Sequence, residues 1–302
     1  MYLDHFHFVE RPFSLTPDTG YYYNNFSCQE AMNVILVALE SGEGIIKITG
    51  EVGTGKTMMC RKLLNDLPDE MVTVYLPNPL MEPQQLYRAV AQELGLDAVA
   101  DISVADLLNR LNVRLINLAA SGRQVVVCVD EAQSMPVETL EALRLLSNVE
   151  TEKRKLLQII LFGQPELNQR LAGKDLRQLR QRIGFSYTLK PLTFDGFQGY
   201  LCHRLHVAGY GGGELFTNGA QRQLYRAARG IPRLVNILAH KSLMAAYGRG
   251  ATRIGRRQVK QAIADTDDVS CSTRQWSVIV FGAVVVLLSC YFGIKTAHYF
   301  FG

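Results

Sequence analysis

Gly50-Glu51-Val52-Gly53-Thr54-Gly55-Lys56-Thr57 is the stretch on which the reading of this chain turns. Its spacing is G-x-x-x-x-G-K-[ST]. Immediately before it, Ile45-Ile46-Lys47-Ile48-Thr49 is apolar enough for a buried strand. After it, Met58, Met59, Cys60, Leu63 and Leu64 recur at helical spacing among Arg61, Lys62 and Asn65. Strand, glycine turn and helix in that order let backbone N–H groups wrap an anion while the positive end of the helix points at it. A chance glycine-rich turn would have no reason to carry both flanking elements. The spacing therefore implies a nucleoside triphosphate site, with ATP and Mg²⁺ as the expected ligands. Residues 50–57 and Met58 would surround the phosphates, Lys56 would supply a mobile positive charge, and the Thr57 hydroxyl would ligate Mg²⁺.

A second stretch supports the first. Gln124-Val125-Val126-Val127-Cys128-Val129 is a continuous apolar run that ends in Asp130 and Glu131. In a parallel sheet the carboxyl ends of the strands face the ligand, so both side chains would meet the glycine turn. Asp130 would hold Mg²⁺ and Glu131 would polarise the attacking water as general base. The alternative is an exposed strand end whose acids favour the N-terminus of a helix over 135–146.

The remaining apolar runs, 71–76, 156–162 and 185–189, are short and separated by helical periodicity over 83–94 and 104–120. That alternation predicts an α/β fold: a parallel sheet with helices on both faces. Beyond Phe194 the strands stop. Helical spacing covers 197–207, 221–229, 232–247 and 257–264, which predicts a small all-α lid. The expected organisation is an aromatic arm and first helix (1–44), a P-loop core (45–193), the lid (194–266), a polar linker (267–275), an apolar span (276–294) and a short tail (295–302). The arm carries Tyr2, Phe6, Phe8, Phe13, Tyr21, Tyr22, Tyr23 and Phe26. It could line a base pocket, although packing on the domain is the simpler reading. Ser27 and Glu30 stand in capping-box positions for a helix over 27–39.

With 32 basic and 28 acidic side chains, the net charge of +4 is too mild to imply nucleic-acid binding. Six cysteines show no metal-ligand or C-x-x-C spacing, so free thiols are expected. The N-terminus lacks the apolar run of a signal peptide. Residues 276–294, WSVIVFGAVVVLLSCYFGI, contain no charged side chain. Nineteen residues at 1.5 Å each give about 28 Å of helix, close to the ~30 Å hydrocarbon thickness of a bilayer. Arg256, Arg257, Lys260 and Arg274 precede this candidate transmembrane helix and Lys295 alone follows it. The positive-inside bias then predicts a single-pass inner-membrane protein with its N-terminal part in the cytoplasm.

The glycine turn, the strand ending in Asp-Glu and the helical lid resemble an AAA+ ATPase. "PFSLTPD" (12–18), "GEVGTGKT" (50–57), "DEAQ" (130–133), "FGQPEL" (162–167) and "GIPRLVN" (230–236) are together similar to the ATPases of the general secretion pathway protein A (ExeA) family. That resemblance implies Mg-dependent ATP hydrolysis serving assembly of a type IV pilus or a type II-like secretion machine. Its implied partners are further copies of the chain and inner-membrane components of the apparatus, with nucleic acid not expected. The family's sensor 1 position falls nearest Gln164, where the usual Asn, Ser or Thr is absent; a structural amide capping the turn is the other reading. Arg233 matches sensor 2. Among Arg177, Arg180 and Arg182 the resemblance implies an arginine finger, Arg182 first and Arg180 next, while a solvated helix face would look the same. The longer secretion ATPases continue into a peptidoglycan-binding region, which the eight residues after the span lead one not to expect. Two other readings share these motifs: a DNA-handling AAA+ protein, such as a transposition helper or initiator-like loader, and a nucleotide switch that does not hydrolyse. Intact Asp130 and Glu131 argue against the last.

Overall fold

The computed structural model describes residues 2–96, 102–150 and 155–266. Five strands, Ile45–Gly50 (β1), Met71–Leu76 (β2), Gln124–Val129 (β3), Leu157–Gly163 (β4) and Ile183–Leu189 (β5), form one sheet in the order β2-β3-β4-β1-β5. Every pairing is parallel. The inner strands β3, β4 and β1 are largely apolar because both faces are covered, whereas the edge strand β5 leaves Gly184, Ser186 and Thr188 exposed. Val125, Val127, Val129, Ile159 and Leu161 enter one core, with Leu86 and Val90 of Pro83–Glu93 (helix α4), Leu111 and Leu115 of Val104–Ala120 (α5), and Leu140 and Leu143 of Val137–Leu146 (α6). Val126, Cys128, Ile160 and Phe162 point the other way, into a core with Ile35 of Phe26–Glu40 (α2) and Met59 and Leu63 of Lys56–Asp66 (α3). Each such side chain contributes roughly 1.5–3 kcal/mol on full burial, so the two apolar faces dominate the energetics of the sheet.

A polar side chain of the central sheet is among the buried groups. Gln158 on β4 is fully buried, and its amide nitrogen donates to the carbonyls of Ala38, Leu39 and Glu43 while its oxygen accepts from Gln124. It satisfies the carbonyls that α2 leaves open at its C-terminus. Cys60 of α3 and Cys128 of β3 touch as thiols; their mutual hydrogen bond and burial push the Cys60 pKa far up, which makes it inert.

Several boundaries differ from the sequence reading. The helical cap of α2 is Asn25, whose side chain accepts the Cys28 N–H at 3.1 Å. Ser27 is drawn away from capping by the Lys190 N–H, which its hydroxyl accepts at 2.9 Å, and Glu30 accepts the Tyr187 hydroxyl at 2.6 Å. The strand read as 185–189 begins at Ile183, because the parallel edge of β1 offers it partners. Residues Tyr2–Phe6, at the start of the aromatic arm, form one helical stretch, α1. A short 3-10 turn, Ala132–Ser134, separates Glu131 from α6. Glu166–Leu171 (α7) and Arg177–Gln181 (α8) follow β4.

Among the described residues the chain divides into two compact units: residues 15–207 with 231–233, which hold the sheet, and residues 2–14, 208–230 and 234–266. Phe194–Val207 (α9) groups with the sheet rather than with a lid that starts at 194. Arg204 stacks its guanidinium 4.1 Å from the Tyr21 ring, and Tyr23 packs edge-on to Tyr200. The second unit holds Asn218–Ala228 (α10), most of Pro232–Tyr247 (α11) and Arg256–Ala264 (α12). The first part of the aromatic arm packs inside it: Phe8 against Tyr210, Phe13 against Phe216 and Tyr2 against His240. Residues 267–302, including the span expected at 276–294, lie outside the described residues. Among the described residues no helix is long and apolar enough to cross a membrane.

Candidate functional site

The glycine turn leaves the carboxyl end of β1 and runs directly into α3. Two of its glycines carry positive φ, Gly53 at 81° and Gly55 at 104°. Gly53 is doubly constrained, since a Cβ there would meet the Cβ of Arg233 at 2.5 Å. Thr54 closes the loop on itself, its hydroxyl donating to the Glu51 carbonyl at 2.8 Å. Lys56 is buried at 4% exposure, and its ammonium donates to the Gly50 and Glu51 carbonyls at 2.8 and 3.1 Å. Burial lowers its pKa, against the pull of the Glu131 and Asp130 carboxylates. These carbonyls hold the cation inside the loop, in reach of any anion that the loop's N–H groups bind. Glu51 and Val52 are exposed at the loop's crest, and Thr57 and Met58 are half-buried in the first turn of α3.

Asp130 stands one residue beyond β3, 3% exposed. The Thr57 hydroxyl donates to its carboxylate, as does the Glu131 N–H at 3.0 Å. Burial nevertheless raises its pKa. A hydroxyl and a carboxylate brought together from α3 and β3 suit Mg²⁺, which takes few protein oxygens and completes its shell with phosphate and water. No larger cluster of acidic, His or Cys side chains occurs among the described residues, and the Mg²⁺ site of such a loop requires none.

Glu131 adopts a left-handed conformation at φ 52°. One of its oxygens, Oε2, accepts two amide donors: Gln133 Nε2 at 2.5 Å and Gln164 Nε2 at 2.9 Å. Gln164 sits just past β4, and its side chain reaches Glu131. Its backbone N–H also donates to Gln133 Oε1 at 2.9 Å. Sequence reasoning passed over Gln133, the last residue of "DEAQ". The signal available was its position in the turn after the paired acids, but an amide in a turn has many structural uses.

Arg233 reaches the site from the start of α11. Its N–H donates to the Gly53 carbonyl at 3.2 Å, and its side chain is exposed beside the loop. Arg177, Arg180 and Arg182 are all exposed, Arg182 as the C-cap of α8. Among the described residues, the hydrogen bonds of Glu131 and Lys56 go to other partners.

Fold and site together define a P-loop α/β fold of the kind found in ATPases. Residues 39–171 match the family described as AAA domain. The chain is 39% identical over 269 residues to general secretion pathway protein A of Aeromonas hydrophila, covering 89% of this chain and 49% of that protein. It thus spans about half the length of that curated relative. Among solved structures it is similar to Cdc6p of Pyrobaculum aerophilum, with TM-score 0.65, 16% identity, and coverage of 84% of this chain and 70% of that one. It is also similar to the Aeropyrum pernix ORC1 protein in complex with DNA, with TM-score 0.61, 19% identity, and coverage of 85% and 69%. At such identities these likenesses show the fold alone.

Proposed function

We propose that this chain hydrolyses ATP with Mg²⁺ to drive or regulate assembly of a secretion or type IV pilus machine at the bacterial inner membrane. The similarity to general secretion pathway protein A over 89% of the chain is the observation that carries this reading. The particular kind suggested by the sequence is an accessory ATPase like MshM, of mannose-sensitive haemagglutinin pilus biogenesis. In this reading Lys56 and Arg233 hold the γ-phosphate, Thr57 and Asp130 hold Mg²⁺, and Glu131 activates water. Residues 276–294 anchor the protein once in the membrane, with the ATPase on the cytoplasmic side. The basic surface that precedes them supports that orientation. From 208 to 266, excluding 231–233, the second unit carries nine lysines and arginines and only two acids, Glu214 and Asp265, both of them paired. Partners would be further copies of the chain and inner-membrane components.

The DNA-handling alternative rests on the fold shared with Cdc6p and ORC1, and shared folds host unrelated functions. A single set of proteins separates the readings. Lys56→Ala should lose ATP binding, whereas Glu131→Gln should bind ATP without turning it over. The Glu131→Gln protein, purified from membranes in mild detergent with ATP, should carry envelope-machine components with it, and a chain ending at Asp268 should leave the membrane fraction. Turnover stimulated by DNA, with the steep loss in rising salt that phosphate contacts impose, would instead favour the alternative. Wild-type turnover in both variants would defeat the site assignment altogether.

A further inference from the structure

The two amides on Glu131 form part of a closed circuit. Gln133 Oε1 is committed to the backbone N–H of Gln164, which can only donate. The Gln133 amide nitrogen must therefore face Glu131, and the orientation of this side chain follows from its partners. Arg170 on α7 donates to the Gln133 carbonyl, which ties the 3-10 turn to the helix that follows Gln164. Gly163 lets the strand end approach, since a Cβ there would meet Leu167 at 2.7 Å and Gln133 Oε1 at 3.3 Å. Both donors converge on Oε2 of Glu131. Among the described residues no donor is bonded to Oε1, so that oxygen alone is left to accept a proton from water.

We propose that Gln133 is a positioning residue: it fixes which oxygen of Glu131 serves as the base and couples that choice to the turn between β4 and α7. The inference rests on Glu131 acting in ATP hydrolysis as read above. A carboxylate free to rotate in the left-handed turn would be drawn toward the Lys56 ammonium, with which it interacts electrostatically. Two amide donors on one oxygen prevent that rotation. Gln164 alone would leave a single pivot. Gln133 supplies the second point, and it also aligns Gln164 by accepting that residue's N–H.

The experiment compares Gln133→Ala and Gln133→Glu with wild type in two states. In the nucleotide-free protein, hydrogen exchange at the Gln164 N–H should accelerate at least about tenfold in Gln133→Ala, because its acceptor is gone while the fold remains. With Mg·ATP, kcat should fall roughly tenfold to hundredfold, the scale of misplacing a reacting group by about 1 Å. Affinity for a fluorescent ATP analogue should stay within about twofold. Gln133→Glu, which sets a second carboxylate against the first, should lose at least as much kcat with affinity likewise kept. Unchanged kcat, or an equal loss of kcat and nucleotide affinity, would overturn the proposal. If wild type itself fails to turn over ATP, the hydrolytic reading falls; the exchange rate at Gln164 still reports whether the circuit exists.

Discussion

Asp130 is held at a cost. Its carboxylate is buried and its pKa is raised by that burial, with the Thr57 hydroxyl and Glu131 N–H only partly offsetting the loss of water. A group whose folded pKa lies above its unfolded value favours the fold most below the unfolded value, ~3.9 for Asp, and loses that contribution as pH rises through the folded value. Asp130→Asn keeps an oxygen for both donors and removes the buried charge. The nucleotide-free variant should therefore melt higher than wild type at pH 7, by about 1 kcal/mol or ~2–4 °C. The gap should close below about pH 3, where the wild-type side chain is neutral in both states. Mg·ATP should stabilise wild type far more than the variant. Scanning calorimetry from about pH 2.5 to pH 8 tests both parts, and a variant that melts lower than wild type at pH 7 would show that the two hydrogen bonds outweigh the cost of burying the charge. The residue-level arrangement was mostly legible: the glycine turn from Gly50 to Thr57 between strand and helix, and Asp130 and Glu131 at a strand end, follow from spacing. Gln133 was not legible, since its meaning depends on Gln164, thirty-one residues away and brought near only by the pairing of β3 with β4.

Helix α2 shows where element boundaries escape local rules. Ser27 and Glu30 have the capping-box spacing, yet Asn25 caps the helix. The local pattern was overridden because β5 competes for both side chains: Ser27 bonds Lys190 N–H and Tyr187, and Glu30 also accepts from Tyr187. Asn25→Ala should accordingly cost about 1 kcal/mol in urea denaturation. Were Ser27 the cap, that substitution would be nearly neutral. Helices without such rivals were read well: Val104–Ala120 and Pro232–Tyr247 begin and end where their periodicity does. The order of the strands was beyond the sequence, since apolar runs buried on both faces carry no register signal of their own.

At the scale of the whole molecule, Arg177, Arg180 and Arg182 are exposed, and among the described residues the hydrogen bonds of Glu131 and Lys56 go to other partners. An arginine that completes the site of a neighbouring copy would have that placement. Such a finger stabilises charge in the transition state and can be worth ~10³–10⁵ in kcat. Arg182→Ala should depress turnover with ATP affinity nearly unchanged. Mixing Arg182→Ala with Lys56→Ala should recover activity, because a mixed assembly pairs an intact loop with an intact finger. A mixture that stays inactive, with wild-type specific activity independent of protein concentration, would remove the shared site.

By itself the sequence determined the nucleotide chemistry, the α/β class and the helical character of the C-terminal part, since each depends on residues close together in the chain. Apolar runs specify buried strands, and G-x-x-x-x-G-K-T specifies a loop that can hold phosphate. Only the tertiary structure decided that α9 packs with the sheet, that residues 2–14 belong with the helices after 207, and that two glutamines meet on one oxygen of Glu131. Those outcomes depend on side chains competing for partners across the fold. Spacing along a chain does not record which competitor wins.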